Sequence, residues 1–297
     1  MKMPYVEFKA LAGHDLVGVA PPSAFAGLSP GESPLSLFPD AQSVVVLGRR
    51  IRRGVFRSME EGSLWSVAGR WLTGMDGVVR AIERLGYECV PFTPADAPRM
   101  PREPVRPGQC RPNGFRISVE YAAVAAGLGE IGYHGMFMTE QFGTRQALGL
   151  LVTDMPIEPG PGRPAGQAPI CDQCLECMRA CPLQAITPGP AKVLAWHGRQ
   201  FPVGGINALA CQACPNGVGG DAKYFAGAEE LHFEIENNQV KGEAASRFVG
   251  GSLPNRLAAA CGRACIAHFE KTHATGYKIP FRIRPPWGFR PDQPKED

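Results

Sequence analysis

Four cysteines, Cys171, Cys174, Cys177 and Cys181, stand in the run C-D-Q-C-L-E-C-M-R-A-C-P between positions 171 and 182. The spacing Cys-x2-Cys-x2-Cys-x3-Cys-Pro is that of a bacterial ferredoxin, in which three thiolates hold one iron–sulfur cluster and the fourth ligates another. Two-residue gaps let one tight loop wrap three corners of a cubane, and the three-residue gap turns the fourth thiolate away. Zinc also binds paired Cys-x2-Cys hooks but needs only four ligands. A third closely spaced cysteine followed by Cys-Pro therefore favours iron–sulfur chemistry. A second cluster needs four more ligands. Cys211 and Cys214, in Cys-Gln-Ala-Cys-Pro, and Cys261 and Cys265, in Cys-Gly-Arg-Ala-Cys, bring the total to eight. By ferredoxin logic Cys214 completes the set of Cys171, Cys174 and Cys177, leaving Cys181, Cys211, Cys261 and Cys265 for the second. A single cluster with four bystander thiols is the plainer alternative. Cys89 and Cys110 lie outside this region and are expected to be free, unreactive thiols.

The rest of the chain must position these thiols. Its 297 residues suffice for one large domain or two modest ones, and an apolar content of 44% supplies a core. Eight cysteines crowded between 171 and 265 point to metal rather than disulfides, as in a reducing compartment. No export signal or membrane-spanning run is visible, so a cytoplasmic location is expected. The net charge of +3 is no nucleic-acid signature.

Strands are expected at Asp15–Ala20, Ser43–Leu47, Tyr87–Phe92 and Ala147–Thr153, where apolar and β-branched residues dominate. Apolar spacing predicts a helix over Leu64–Leu85 closed by Gly86, and a second over Ser118–Ala126 closed by Gly127. Residues 94–112, rich in proline and arginine, read as a loop. Five prolines within 156–169 mark a junction. Three segments follow: 1–160, 161–270 with the cysteines, and a basic tail over 271–297. The acidic stretch near 221–236 is expected to be helical.

Gly127-Leu-Gly-Glu-Ile-Gly132 fits the dinucleotide pattern G-x-G-x-x-G, but that motif needs a strand before it and a helix after it. Here a helical segment precedes and an extended one follows. These glycines are expected to let the backbone approach something closely, either packed structure or a bound cofactor.

The order of Ala122-Ala-Val-Ala-Ala-Gly-Leu-Gly-Glu-Ile-Gly132, Thr139-Glu-Gln-Phe-Gly143, Leu151-Val-Thr-Asp-Met-Pro156 and the cysteine run resembles the epoxyqueuosine reductases and corrinoid reductive dehalogenases. Asp15-Leu-Val-Gly-Val-Ala-Pro21 and Ser43-Val-Val-Val-Leu-Gly48 look like the same superfamily, so the resemblance runs to about residue 216. It implies an α+β protein: a nitroreductase-like α/β domain that binds cobalamin, then a ferredoxin-like domain with two 4Fe-4S clusters. It also implies that electrons from an external low-potential donor pass through the clusters to cobalt. Reductive C–O or C–halogen cleavage on a small molecule or modified nucleoside follows. The corrin would be lined by Gly127, Leu128, Gly129, Gly132 and Gly135. Asn113-Gly-Phe-Arg116 stands near the place of the reductases' acidic proton donor, and Tyr133 replaces the lysine usual after Ile-Gly. A tRNA-binding helical-repeat extension is not expected within this length.

Reduction at carbon needs a proton donor. Tyr121, Tyr133 and His134 lie nearest the implied pocket, the histidine with a pKa suited to proton delivery. Glu120 and Glu130 are expected as solvated surface charges. The arginines at 49, 50, 52, 53 and 57 are expected on a solvated face, as is the basic tail. Two other readings remain open: a non-catalytic redox or corrinoid-handling module, and a zinc-stabilised nucleic-acid binder.

Overall fold

The computed structural model describes residues 2–60, 74–92, 103–110, 114–164, 166–181, 184–207, 211, 233–236, 239–242, 257, 259–273 and 276–281. Its centre is a four-stranded sheet of β1 (Leu16–Ala20), β2 (Ser43–Arg50), β3 (Cys89–Phe92) and β6 (Gln146–Thr153), in the order β1-β2-β6-β3. Every pairing is antiparallel. All four strands fall where apolar runs predict them. Side chains alternate across a strand, so each contiguous apolar run serves two faces. Val44, Val46 and Leu150 point to one face with Ala122, Ala123, Val124, Phe201 and Val203. Val45, Leu47 and Leu151 point to the other with Phe8, Val78 and Ile82.

The second face is covered by α1 (Tyr5–Ala12) and α4 (Asp76–Arg84). Two short helices, α2 (Pro34–Leu37) and α3 (Arg53–Glu60), flank β2 in sequence. Of the helix expected over 64–85, the part from 61 to 73 lies outside the described residues. Gly86 follows α4 with φ +85°. The first face is covered by α5 (Val119–Ala125), whose N-cap is Ser118, accepting the Tyr121 N–H on its hydroxyl. A hairpin of β7 (Ile186–Trp196) and β8 (Arg199–Ile206) leans on the same face through Phe201 and Val203.

Two short strands, β4 (Glu130–Ile131) and β5 (Phe137–Met138), pair between α5 and β6. After the proline-rich stretch comes α6 (Glu176–Arg179), inside the cysteine run, and packed against it is α7 (Ala260–Thr272). Within the acidic stretch, β9 (Phe233–Glu236) is a strand paired with β10 (Gln239–Gly242). That corrects the helix expected there, of which the remainder lies outside the described residues. Alternating Phe233 and Ile235 favour extended backbone over a helical stripe.

Helix α7 is fastened to the segment after β2. Ile266 joins Ile51, Val55, Phe56 and Phe281 in a small core, with the Arg263 guanidinium 5.4 Å from the Phe281 ring. Arg145 Nη2 lies 3.2 Å and Arg53 Nε 3.4 Å from the two carboxylate oxygens of buried Glu270. Arg53 also donates to the Ile279 carbonyl and lies over the Tyr277 ring. Arg53 is therefore a fastening between helix and tail rather than part of a solvated face. Among the described residues no helix is long and apolar enough to cross a membrane.

Candidate iron–sulfur site

Cys171, Cys174, Cys177 and Cys265 line one cavity. The loop before α6 delivers the first two, α6 itself delivers Cys177, and α7 delivers Cys265. The loop owes its shape to left-handed backbone at Gln173 (φ 56°) and Leu175 (φ 62°), a conformation costly for residues with a Cβ. Cys265, grouped by sequence spacing with Cys181, Cys211 and Cys261, thus lies with the first three cysteines instead. Cys214, expected there, lies outside the described residues.

These thiols are short of solvent and close to one another. Burial, followed by the neighbouring Cys171 and Cys174, pushes the Cys177 thiol up to about 12. Burial raises Cys265 well above its ordinary value, with Cys177 and Cys171 adding to it. Cys171 and Cys174 are also raised, first by burial. Four adjacent thiolates in such a place require a cationic centre to neutralise them, so the donor set fits a metal cluster.

Hydrogen bonds aim at the sulfurs. The Tyr133 N–H points at Cys171 Sγ at 3.3 Å. His134 Nε2 lies 3.1 Å from Cys265 Sγ, while its Nδ1 accepts the Met136 N–H at 3.0 Å. The carboxylate of Glu130 accepts the Cys171 N–H on one oxygen at 2.8 Å. Its other oxygen sits 3.3 Å from Arg163 Nη1 and 3.4 Å from Arg199 Nη2. Glu130 is 4% exposed, which corrects its expected place on the surface. It ties the cysteine loop to the proline-rich junction and to the β7–β8 hairpin. A carboxylate inside a glycine motif, with arginines 33 and 69 residues away, carries no local signal of that role. Glu120 is exposed, as expected.

The second group of cysteines gathers around the hairpin base. Cys181 accepts the Ala185 N–H on its sulfur at 3.3 Å, just before β7. Asn207, just after β8, donates to the Ala185 carbonyl, and the Cys211 N–H returns to the Asn207 carbonyl. The hairpin thus brings Cys181 and Cys211 to one end despite a separation of 30 positions. Cys261 is buried beside Cys177 and Ile186. Cys177 and Cys181 are four residues apart, as are Cys261 and Cys265. In each pair one member lines the first cavity and the other faces the hairpin base. The matching sequences Cys177-Met-Arg-Ala-Cys181 and Cys261-Gly-Arg-Ala-Cys265 were the available signal.

The three candidate proton donors do not come together. Tyr133 and His134 face the thiols, with the Tyr133 ring packed on Gly204. Tyr121 lies in an aromatic group with Phe25, Trp196 and His197, its hydroxyl donating to the Ala24 carbonyl. Burial raises the Tyr121 phenol.

The glycine segment meets protein. A Cβ on Gly129 would collide with the Met138 carbonyl oxygen. On Gly127 (φ +70°) it would stand 2.5 Å from Gly162 Cα, and on Gly132 2.6 Å from Met138 Sδ. Leu128 packs over Gly18, and Gly135 (φ +73°) closes a turn onto Gly132. The cleft beside Gly127 and Leu128 has a volume of about 230 Å³, below the range usual even for drug-sized ligands. Among the described residues, the contacts of these glycines are with the protein's own atoms.

Known proteins add to this geometry. The tetrachloroethene reductive dehalogenase of Desulfitobacterium hafniense is 42% identical over 75 residues, 25% of this chain and 13% of that one. Over that stretch the chain resembles a reductive dehalogenase. The namesake from Sulfurospirillum multivorans is 40% identical over 78 residues, 26% of this chain and 15% of its own. The matches span less than a sixth of these relatives. No protein-family model matches the chain. Among solved structures, a reductive dehalogenase described in terms of B12-dependent dehalogenation superposes with TM-score 0.48 at 19% identity, over 69% of this chain and 28% of that one. An epoxyqueuosine reductase from Bacillus subtilis gives 0.41 at 15% identity, over 74% and 58%.

Proposed function

We propose that the chain is an iron–sulfur reductase with two four-iron clusters. The convergence of Cys171, Cys174, Cys177 and Cys265 on one buried cavity carries this reading. Those four thiolates would hold one cluster. Cys181, Cys211 and Cys261 would hold the other, together with Cys214. Bound clusters supply one-electron transfer. The chain's own residues bury the thiolates, aim N–H groups at two of them and fix the loop through Glu130. An external low-potential donor would feed the clusters. Kinship with the dehalogenases suggests a small molecule or modified nucleoside with a C–halogen or C–O bond as acceptor. The resemblance also implies a corrinoid as the group that would take electrons from the clusters.

The close packing of the glycine segment on the protein's own atoms gives weight to a second reading, a redox module that hands electrons to a separate acceptor. The two part on one experiment. The full chain is reconstituted anaerobically with iron and sulfide, reduced, and offered an organohalide or epoxide, with and without cobalamin. Turnover establishes a reductase, and oxidation of the clusters by an added electron acceptor without turnover establishes a carrier. A chain that takes up zinc but no acid-labile sulfide refutes both.

A further inference from the structure

His134 was a candidate proton donor by sequence, and its surroundings give it a different task. It is 2% exposed and stands between two fixed partners. The Met136 N–H occupies the Nδ1 lone pair at 3.0 Å. A backbone N–H only donates, so Nδ1 carries no hydrogen and the neutral ring holds its proton on Nε2. That nitrogen lies 3.1 Å from Cys265 Sγ, within reach of a sulfur acceptor. The ring is locked in turn. His134 sits in the turn closed by the Gly135 N–H on the Gly132 carbonyl, and a Cβ on Gly132 would stand 2.9 Å from His134 Cε1. The Gly132 in front of it thus leaves room for the imidazole, which gives that glycine a reason apart from any cofactor.

We propose that His134 is a positioning residue that raises the reduction potential of the first cluster by donating Nε2–H to the Cys265 sulfur. A hydrogen bond to a ligand sulfur stabilises the electron-rich reduced cluster more than the oxidised one. The Tyr133 N–H on Cys171 Sγ acts in the same sense from the adjacent residue, but as backbone it is untouched by substitutions at His134. The redox step is simple: the cluster takes one electron from a low-potential one-electron donor, such as dithionite, and gives one electron to the next acceptor. No bond to carbon is made, and His134 keeps its proton throughout. This inference rests on the iron–sulfur reading above.

The test compares wild-type, His134→Leu and His134→Gln full-length chains, reconstituted anaerobically. Iron and sulfide per chain are counted first, and potentials are then measured by redox titration followed by electron paramagnetic resonance. His134→Leu is expected to assemble as much iron and sulfide as wild type. Its reduction equilibrium should move about tenfold toward the oxidised form, roughly 59 mV downward for one electron. His134→Gln, which retains an N–H donor, should recover much of that shift. An unchanged potential in a fully loaded His134→Leu chain overturns the proposal. Should that variant fail to load, wild-type protein labelled with 15N-histidine decides. Hyperfine coupling of the reduced cluster to one histidine nitrogen, with a nearby exchangeable proton, supports the bond, and its absence refutes it. Failure of the underlying reading looks different, since wild-type chain would then carry no iron and sulfide at all.

Discussion

Strands β1, β2 and β6 bury apolar side chains on both faces, whereas the region of Cys171–Cys181 and α7 gathers thiols, a buried carboxylate and buried guanidinium groups. Val44, Val45, Val46, Leu150 and Leu151 are each at most 1% exposed. Each such side chain contributes on the order of 1.5–3 kcal/mol when fully buried. The core around the cysteines is smaller: Tyr133, Cys177, Ile186, Ala259 and Cys261, with Leu175 and Met178 beside them. Two of its five buried members are proposed ligands. The contrast teaches that the sheet stands on hydrophobic burial, while the cysteine region, on the iron–sulfur reading proposed above, would depend on metal for much of its stability.

The sharpest way to break this comparison is to remove the metal. Anaerobic chelation of the reconstituted chain is expected to abolish hydrogen-exchange protection in 171–181 and in α7, while β2 and β6 keep theirs. Loss spread evenly over both regions would erase the distinction. Next in size is Glu130→Ala, which takes the buried carboxylate away from Arg163 and Arg199, leaves Arg163 with the exposed Glu140, and leaves the Cys171 N–H without its acceptor. Breaking a buried ion pair on one side costs about 3–5 kcal/mol. The denaturation midpoint should fall accordingly, and iron uptake with it. A change confined to one of the two readouts would uncouple Glu130 from the cluster loop.

Leu151→Ala works on the other side of the comparison. Removing this fully buried side chain from the central strand β6 should cost about 2–5 kcal/mol. Iron and sulfide per folded chain should stay unchanged, and a loss of iron would show that the sheet shapes the site directly. The smallest effect is a pH dependence at Glu270. Burial raises its carboxyl above the ordinary 4.5, against the opposing pull of Arg145 and Arg53. A raised acid holds more protons folded than unfolded, so its contribution to stability falls as pH rises from the ordinary carboxylate range through the raised value. The stability of wild type relative to Glu270→Gln should decline over that window, and a flat difference would contradict the shift.

What the sequence made legible follows the same division. Each strand of the sheet announces itself, because a β-branched apolar run has few other uses, and Ser118 and Gly127 bracket α5 as a cap and a stop. The cysteine run is equally local. What stayed hidden depends on chain returns. Cys265 reaches the first cavity because α7 docks on α6, a contact spanning about 85 positions. Cys181 and Cys211 approach through the hairpin. Glu130 reads as an ordinary surface acid until Arg163, Arg199 and the Cys171 N–H surround it. Tyr133 and His134 were singled out for their closeness to the implied pocket, and their place beside the thiols carried no local signal. The glycines of Gly127–Gly132 allow a close approach, as expected; the partner is the protein's own backbone at Gly127 and Gly129 and the Met138 and His134 side chains at Gly132.

The central claim is that Cys265 completes the first cluster with Cys171, Cys174 and Cys177. Anaerobic iron and sulfide analysis of wild type, Cys171→Ser, Cys265→Ser and Cys214→Ser, read together with the spectrum of the reduced clusters, tests it directly. Wild type should carry about eight iron and eight sulfide per chain, the content of two four-iron clusters. Cys265→Ser should lose the signal that Cys171→Ser also loses, and Cys214→Ser should lose the other. If Cys214→Ser instead removes the signal shared with Cys171→Ser while Cys265→Ser spares it, the assignment is wrong.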